Sequence, residues 1–219
     1  MSEDQLHQLH GSIQAKQGIL LVDEIYHGLT YDEAKPHSAV NYGDDVFVIN
    51  SFSKYFAMTG WRLGWLVAPH WAIESLDKLA QNLFLAPNTP AQYAALASFN
   101  PQVIDELESR KAMFAERLHY LLPQLEQLGF EIPAKPAGAF YIYADISGLD
   151  HPYNNDSMNF CLALLQEQSL AITPGIDFGH EQGHHFVRFA YTCDIPMLEK
   201  AIARLRRYLQ SHKEKKTIL

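Results

Sequence analysis

Residues 51–64 contain the densest group of side chains that could perform chemistry, Ser-Phe-Ser-Lys followed after four residues by Thr-Gly-Trp-Arg-Leu-Gly. Lys54 has aromatic neighbours in the sequence, and removal of its ammonium group from water would lower its pKa, as a Schiff-base lysine requires. Ser51, Ser53 and Arg62 are residue types that bind phosphate. From this segment alone, a lysine at the rim of an aromatic core with its ammonium in water is an equally good interpretation.

A second group, Asp-Glu-Ile-Tyr at residues 23–26, follows an apolar run of strand length. A carboxylate at the end of a parallel strand can pair with a cation or a ring N–H, and Tyr26 can donate a hydrogen bond into the same space. The alternative is that Asp23 only caps a following helix. Together, the carboxylate, phenol, serines, lysine and arginine are the set of groups that hold pyridoxal phosphate.

Ser51 and Lys54 also match Ser-x-x-Lys, the nucleophile pattern of serine β-lactamases and penicillin-binding proteins. Those enzymes need Ser-Asp-Asn and Lys-Thr-Gly as well, and neither tripeptide occurs in the chain. We therefore do not favour this chemistry.

Apolar runs of strand length alternate with helical patterns, which predicts an α/β fold. Residues 18–23 and 46–50 are apolar runs that each end on a polar residue. They are predicted to be buried parallel strands, with a third strand at 63–68. A first helix is expected to begin after Ser2, because Gln5 completes a capping box.

Residues 101–128 form one long helical pattern of ~42 Å. Gly129 supplies a stop, and Pro123 should kink the helix or be absorbed at a bend. Beyond it we predict strands at 139–144, 170–173 and 186–191 and helices at 157–168 and 196–212. The predicted organisation is a large domain over 1–100, a linking helix over 101–128 and a small domain over 129–219.

Composition restricts the class of protein. The 219 residues carry a net charge of −8, which argues against binding to nucleic acid or a membrane surface. Two cysteines fit a reducing compartment, and there is no apolar run of the ~18 residues that a membrane span needs, so we expect a cytoplasmic protein. The eleven histidines lack the carboxylate or cysteine spacing of a zinc site, and no metal is expected.

The segment 51–65 resembles the cofactor-lysine signature of class I/II aminotransferases, which are fold-type I enzymes that depend on pyridoxal phosphate. The resemblance continues in family order at residues 23–26, 136–141, 173–175 and 187–189 and covers nearly the whole chain. It implies part of the large-domain sheet and a small C-terminal α/β domain, joined by a long helix.

The resemblance also implies roles. Lys54 would form the imine with the cofactor and move the proton between the substrate Cα and the cofactor C4′. Asp23 would pair with the pyridinium nitrogen, and Tyr26 with the phenolic oxygen of the ring.

Two further sites follow from the same resemblance. Ser51 and Arg62 would bind the phosphate, with Ser53 as a further contributor. Arg188 would bind the substrate α-carboxylate through a bidentate pair, although from its own segment it could equally be a charge on an edge strand.

In the family, roughly half of the enzyme precedes the helix before Asp23, and nothing in residues 1–17 replaces it. We therefore expect a truncated aminotransferase, normally a homodimer acting on an amino acid and a 2-oxo acid, with reduced or no activity alone. Exposed sheet edges and apolar faces should favour self-association or pairing with the missing half. The alternatives are a pyridoxal-phosphate-dependent C–S β-lyase and a sensor fragment of an aminotransferase-like transcription regulator; the negative charge and the lack of a helix-turn-helix segment argue against the regulator.

Overall fold

The computed structural model describes residues 1–31 and 36–217, with side chains up to His212. It divides into two compact units, Met1–Ala112 and Met113–Leu219. The division falls inside the long helix, so the domain boundaries at 100 and 128 stay a prediction. No helix in the described part of the chain is long and apolar enough to cross a membrane.

Among its described residues, the first unit has three α-helices and three strands, and the long helix begins in it. These elements are α1 (Glu3–Gln14), β1 (Leu20–Asp23), β2 (Val46–Ser51), β3 (Gly64–Val67), α2 (His70–Leu83), α3 (Thr89–Ala97) and α4 (Pro101–Gln127). The capping box of α1 is confirmed, since Ser2 and Gln5 exchange hydrogen bonds of 3.2 and 2.9 Å. Helices α2 and α3 occupy a stretch for which no element was predicted.

The sheet of the first unit has the order β1-β2-β3, with β1 and β2 parallel and β3 antiparallel. Leu6 of α1 and Ala39 cover one face, where Leu20 is 6% exposed. On the opposite face, Leu21 is 58% exposed. The prediction that β1 is a fully buried strand is therefore wrong, because its apolar run is covered on one side only.

The second unit contains β4 (Tyr141–Asp145), α5 (Ser157–Gln168), β5 (Thr173–Pro174), β6 (Phe186–Ala190) and α6 (Ile195–Thr217). Its sheet has the order β4-β6-β5, and both pairs are antiparallel. The strand predicted at 170–173 is reduced to two residues. Buried side chains of both helices, among them Phe160 and Leu205, form the core with Ile142 and Val187 of the sheet.

Helix α4 continues through Pro123 and ends at Gln127, shortly before Gly129, where the sequence predicted a stop. Gly129 has φ +95°, a conformation that side chains with a Cβ rarely adopt. The N–H groups of Phe130 and Gly129 donate to the carbonyls of Leu125 and Glu126 at 3.2 and 3.0 Å, the pattern of a Schellman motif.

Candidate active site

The turn that carries Lys54 connects β2 to β3 and begins with two serine hydroxyls. Ser51 Oγ accepts a hydrogen bond from the Ser53 N–H at 3.0 Å and lies 2.9 Å from Ser53 Oγ. It also lies 3.0 Å from the carbonyl oxygen of Leu63, at the far end of the turn. The end of β2 therefore presents two adjacent hydroxyls and is bound to the start of β3.

Arg62 belongs to the same turn and is held back against it. Its backbone is left-handed, with φ 54°, and its Nη1 donates to the carbonyl of Thr59 at 3.0 Å. Thr59 Oγ1 in turn donates to the carbonyl of Ser53. These bonds tether an exposed guanidinium to the turn that carries the serines.

Lys54 lies beside Tyr26, with its Nζ 5.7 Å from the centre of the phenol ring. The two residues follow neighbouring parallel strands, whose carboxyl ends share one edge of the sheet. The loops pack closely, because a Cβ built on Gly28 would lie 2.3 Å from Tyr55 Cγ. Glycine at this position is what allows the two loops to approach.

Asp23 ends β1 with an exposed carboxylate, and its Oδ1 accepts the Ile25 N–H at 3.0 Å. The residues that follow form turns and no helix starts there. The alternative that Asp23 caps a helix is therefore wrong.

Glu24 has a structural role that the sequence did not indicate. Its carboxylate, in a residue only 4% exposed, accepts hydrogen bonds from Ser38 Oγ at 2.9 Å and from the Ala39 N–H at 2.7 Å. His27 Nδ1 lies 3.2 Å from the same carboxylate. The only available signal was its place directly after Asp23, since successive side chains in extended backbone point to opposite faces.

Glu108 of α4 also anchors the turn and was missed. The Tyr55 hydroxyl donates to its carboxylate at 2.5 Å, and Lys111 Nζ donates to it at 2.9 Å. Burial, and then the carboxylate, raise the pKa of Tyr55 to about 12, while the two donors lower the pKa of Glu108. Glu108 is 53 positions from Tyr55, so no local pattern could have indicated the contact.

A cavity of about 520 Å³ opens beside this turn. Its walls are mainly aromatic, with Phe52, Phe56, Trp65 and Phe99 among them, and Ser51 contributes a polar group. The lysine turn is thus backed by an aromatic cluster, as its composition predicted.

Arg188 lies in the second unit, on the central strand β6, so the edge-strand alternative is wrong. Its Cζ is 4.1 Å from the centre of the Tyr141 ring and 4.4 Å from that of Phe178. Its Nε is buried, and within the described residues it has no hydrogen-bond partner. A partly buried cation without an acidic partner is costly, so this position is suited to an anion supplied from outside.

The histidines have other contacts. His10 is buried with its Nε2 3.2 Å from the Asp45 carboxylate, and His27 is close to Glu24. Among the described residues, no group of three or more histidine, cysteine or acidic side chains is arranged to hold a metal ion.

Comparison with known proteins identifies the family to which the chain belongs. The family model for aminotransferase class I and II matches residues 1–205. The chain belongs to the class I and II aminotransferase family. A valine–pyruvate aminotransferase of Mycobacterium tuberculosis is 39% identical over 88% of this chain and 49% of its own length. An aspartate aminotransferase of Bacillus subtilis is 34% identical over 96% of this chain and 54% of its own length.

Solved aminotransferase structures show the same fold. A crystal structure of an aminotransferase from Mycobacterium tuberculosis superposes with a TM-score of 0.90 at 36% identity, over 96% of this chain and 54% of the other. An aromatic aminotransferase from Pyrococcus horikoshii gives 0.88 at 31% identity, over 97% and 57%. The predicted fold type I is confirmed, and the chain spans about half the length of the relatives it matches.

The first unit offers groups that fit pyridoxal phosphate, the cofactor associated with this family. Two hydroxyls 2.9 Å apart and a tethered guanidinium suit a phosphate dianion. An amine, a phenol and an exposed carboxylate stand at the same sheet edge. The hydroxyls and the guanidinium match the phosphate of that molecule. The amine matches its aldehyde, the phenol its phenolic oxygen and the carboxylate its ring nitrogen.

Proposed function

We propose that this chain carries the lysine site of a pyridoxal-phosphate-dependent aminotransferase, which moves an amino group between an amino acid and a 2-oxo acid. The observation that carries the proposal is the turn of Lys54, where two serine hydroxyls and a tethered arginine lie on one turn beside Tyr26. Relatives named as aminotransferases support the reaction class.

Different residues of the first unit would bind different parts of the cofactor. Ser51, Ser53 and Arg62 bind its phosphate by hydrogen bonds and charge. Asp23 pairs with the protonated ring nitrogen, and Tyr26 donates a hydrogen bond from its hydroxyl to the phenolic oxygen. When bound, pyridoxal phosphate supplies an electron sink for the negative charge that develops at the substrate Cα.

Lys54 and Arg188 act on the substrate itself. Arg188 binds the α-carboxylate through its guanidinium and so orients the Cα–H bond. The Nζ of Lys54 would take the proton from the substrate Cα and deliver it to C4′ of the cofactor, and would move it in the opposite direction when a 2-oxo acid is converted to an amino acid.

We further propose that the complete enzyme is a cytoplasmic homodimer and that the 219-residue chain by itself transaminates at least ~10³-fold more slowly, because the cofactor would be poorly oriented. Two free cysteines, one buried and one exposed, are consistent with a reducing compartment. Turnover near that of a full-length relative with any amino donor would contradict the rate prediction.

The lysine assignment is tested by incubation of the purified chain with pyridoxal phosphate, reduction with borohydride and peptide mass mapping. We expect a reduced adduct on the Lys54 peptide, its loss in Lys54→Arg and its retention in Lys78→Arg, which changes an exposed lysine of the same unit that pairs with Glu74. Adducts scattered over surface lysines would overturn the proposal. Release of pyruvate and ammonia from a cysteine thioether without a 2-oxo acid would instead indicate the β-lyase.

A further inference from the structure

We propose that the rings of Tyr141 and Phe178 are positioning residues that hold the Arg188 guanidinium ready for a carboxylate. This inference rests on the proposed role of Arg188 in binding the substrate. Both ring centres lie within 4.4 Å of Arg188 Cζ, inside the range in which an arginine is attracted to an aromatic face.

The register of the sheet places the Tyr141 ring beside Arg188. Arg188 pairs with Tyr143 in the register of β4 and β6, and Tyr141 lies two residues along β4 on the same face of the sheet. Because a strand alternates its side chains, a tyrosine at 141 and an arginine at 188 are diagonal neighbours. The contact follows from strand register.

The second ring is brought by a turn that requires glycines. Phe178 follows a short 3-10 helix, Gly175–Asp177. A Cβ on Gly175 would lie 2.5 Å from the carbonyl oxygens of Gly183 and Phe186 and 2.7 Å from the Tyr143 hydroxyl. The turn is therefore packed directly against the start of β6. This packing fixes the position of Phe178, the residue that follows the turn.

Aromatic rings are better suited than acidic side chains to hold the Arg188 guanidinium ready for a substrate carboxylate. A carboxylate beside Arg188 would neutralise the guanidinium and compete with the substrate, and none of the described carboxylates forms an ion pair with it. The rings attract the cation without occupying its N–H groups. They also restrict a flexible side chain, so less rotamer freedom is lost when a carboxylate binds.

The test is a titration of the full 219-residue chain, labelled with ¹⁵N-arginine, with pyruvate while the Arg188 Nε–H resonance is observed by NMR. We expect pyruvate to shift this resonance and pyruvamide, which lacks the carboxylate, to leave it in place. In Phe178→Leu and Tyr141→Leu the apparent Kd for pyruvate should rise about fivefold, equivalent to ~1 kcal/mol. Phe178→Tyr and Tyr141→Phe keep a ring and should restore the affinity.

Tyr153→Leu is the matched control, since it removes a partly exposed ring of the same unit that contacts the His151 ring at 5.6 Å between ring centres instead of Arg188. Unchanged affinity in both leucine variants, with pyruvate still shifting the Arg188 resonance and pyruvamide leaving it in place, would overturn the role of the rings and leave the carboxylate site standing. An Arg188 resonance that pyruvate leaves in place, or that pyruvamide shifts as far as pyruvate does, would overturn the proposed role of Arg188. Equal losses in the leucine variants and in Tyr153→Leu would indicate a general structural effect and would also contradict the inference.

Discussion

Asp23 and Glu24 are adjacent and chemically alike, yet their surroundings differ completely. Asp23 is exposed at the end of β1, whereas Glu24 is 4% exposed and bonded to Ser38 and Ala39. The first is free to meet a ligand, and the second holds the loop near residue 38 against the sheet. Burial, more than residue type, separates a candidate site residue from a structural one.

His151 offers a test of burial at the level of one residue. Its ring packs on Tyr208 and on His212, and burial, then the charge of His212, lower its pKa to about 4. The unfolded chain takes up this proton near pH 6.5 and the folded chain does not, so folding stability falls as the pH drops from about 6.5 towards 4. We expect this histidine to account for about 2 kcal/mol of the loss between pH 7 and pH 5.

The comparison is His151→Phe against His180→Phe, an exposed histidine in a loop. Only the first should reduce the pH dependence of urea unfolding. The readout is the methyl NMR signal of Ile142, because the three tryptophans, at positions 61, 65 and 71, lie in the other unit. An unchanged pH dependence in His151→Phe would contradict the assignment.

At the level of elements, two parallel strands bring their following loops together. The loop after β1 supplies Tyr26 and Gly28, and the loop after β2 supplies Lys54 and Tyr55. Glu108 of α4 binds the second loop from outside through Tyr55. The lysine turn is thus contacted by two segments that are far from it in the sequence, the loop after β1 and helix α4.

Gly28→Ala tests the packing between these loops. The new Cβ would collide with the ring of Tyr55, so the lysine turn must shift, and we expect a loss of about 1–3 kcal/mol in the free energy of unfolding. Tryptophan fluorescence during urea unfolding reports this unit. The borohydride adduct at Lys54 should fall in parallel.

Gly60→Ala is the control, because a Cβ at position 60, in the same turn, has no atom within 4 Å. It should change the free energy of unfolding by less than about 1 kcal/mol. If Gly28→Ala lowered the free energy of unfolding no more than this control does, the prediction that the two loops are closely packed at Gly28 would be contradicted.

At the scale of the whole chain, the first unit exposes an unusual amount of apolar surface. Ile19, Leu21 and Leu66 of the sheet region are 60%, 58% and 42% exposed, and Phe84 and Leu85 after α2 are 72% and 85% exposed. Exposed apolar side chains of this kind promote association.

We therefore expect the isolated 219-residue chain to self-associate at ~50 µM in sedimentation velocity. The double variant Leu21→Thr, Leu66→Thr keeps β-forming residues and should reduce this association. Met197→Thr, at a 51% exposed position on α6, should not. A monodisperse monomer for the unsubstituted chain would contradict the prediction.

Several features could be predicted because their causes are local. The Ser2–Gln5 capping box, the stop at Gly129 and the apolar strand runs each depend on a few neighbouring residues. The order of the motifs around Lys54 identified the family. Burial of β1 was predicted wrongly, because an apolar run does not reveal how many faces a neighbour covers.

The sequence by itself determined the chemical types and their order: a lysine between serines and an arginine, a carboxylate and a phenol after the preceding strand, and a second arginine near the end. Only the tertiary structure decided which of these are buried, tethered or stacked. Tyr55 meets Glu108 across 53 positions, and Phe178 meets Arg188 through a turn packed on β6. Such contacts depend on strand register and loop packing, which local patterns do not encode.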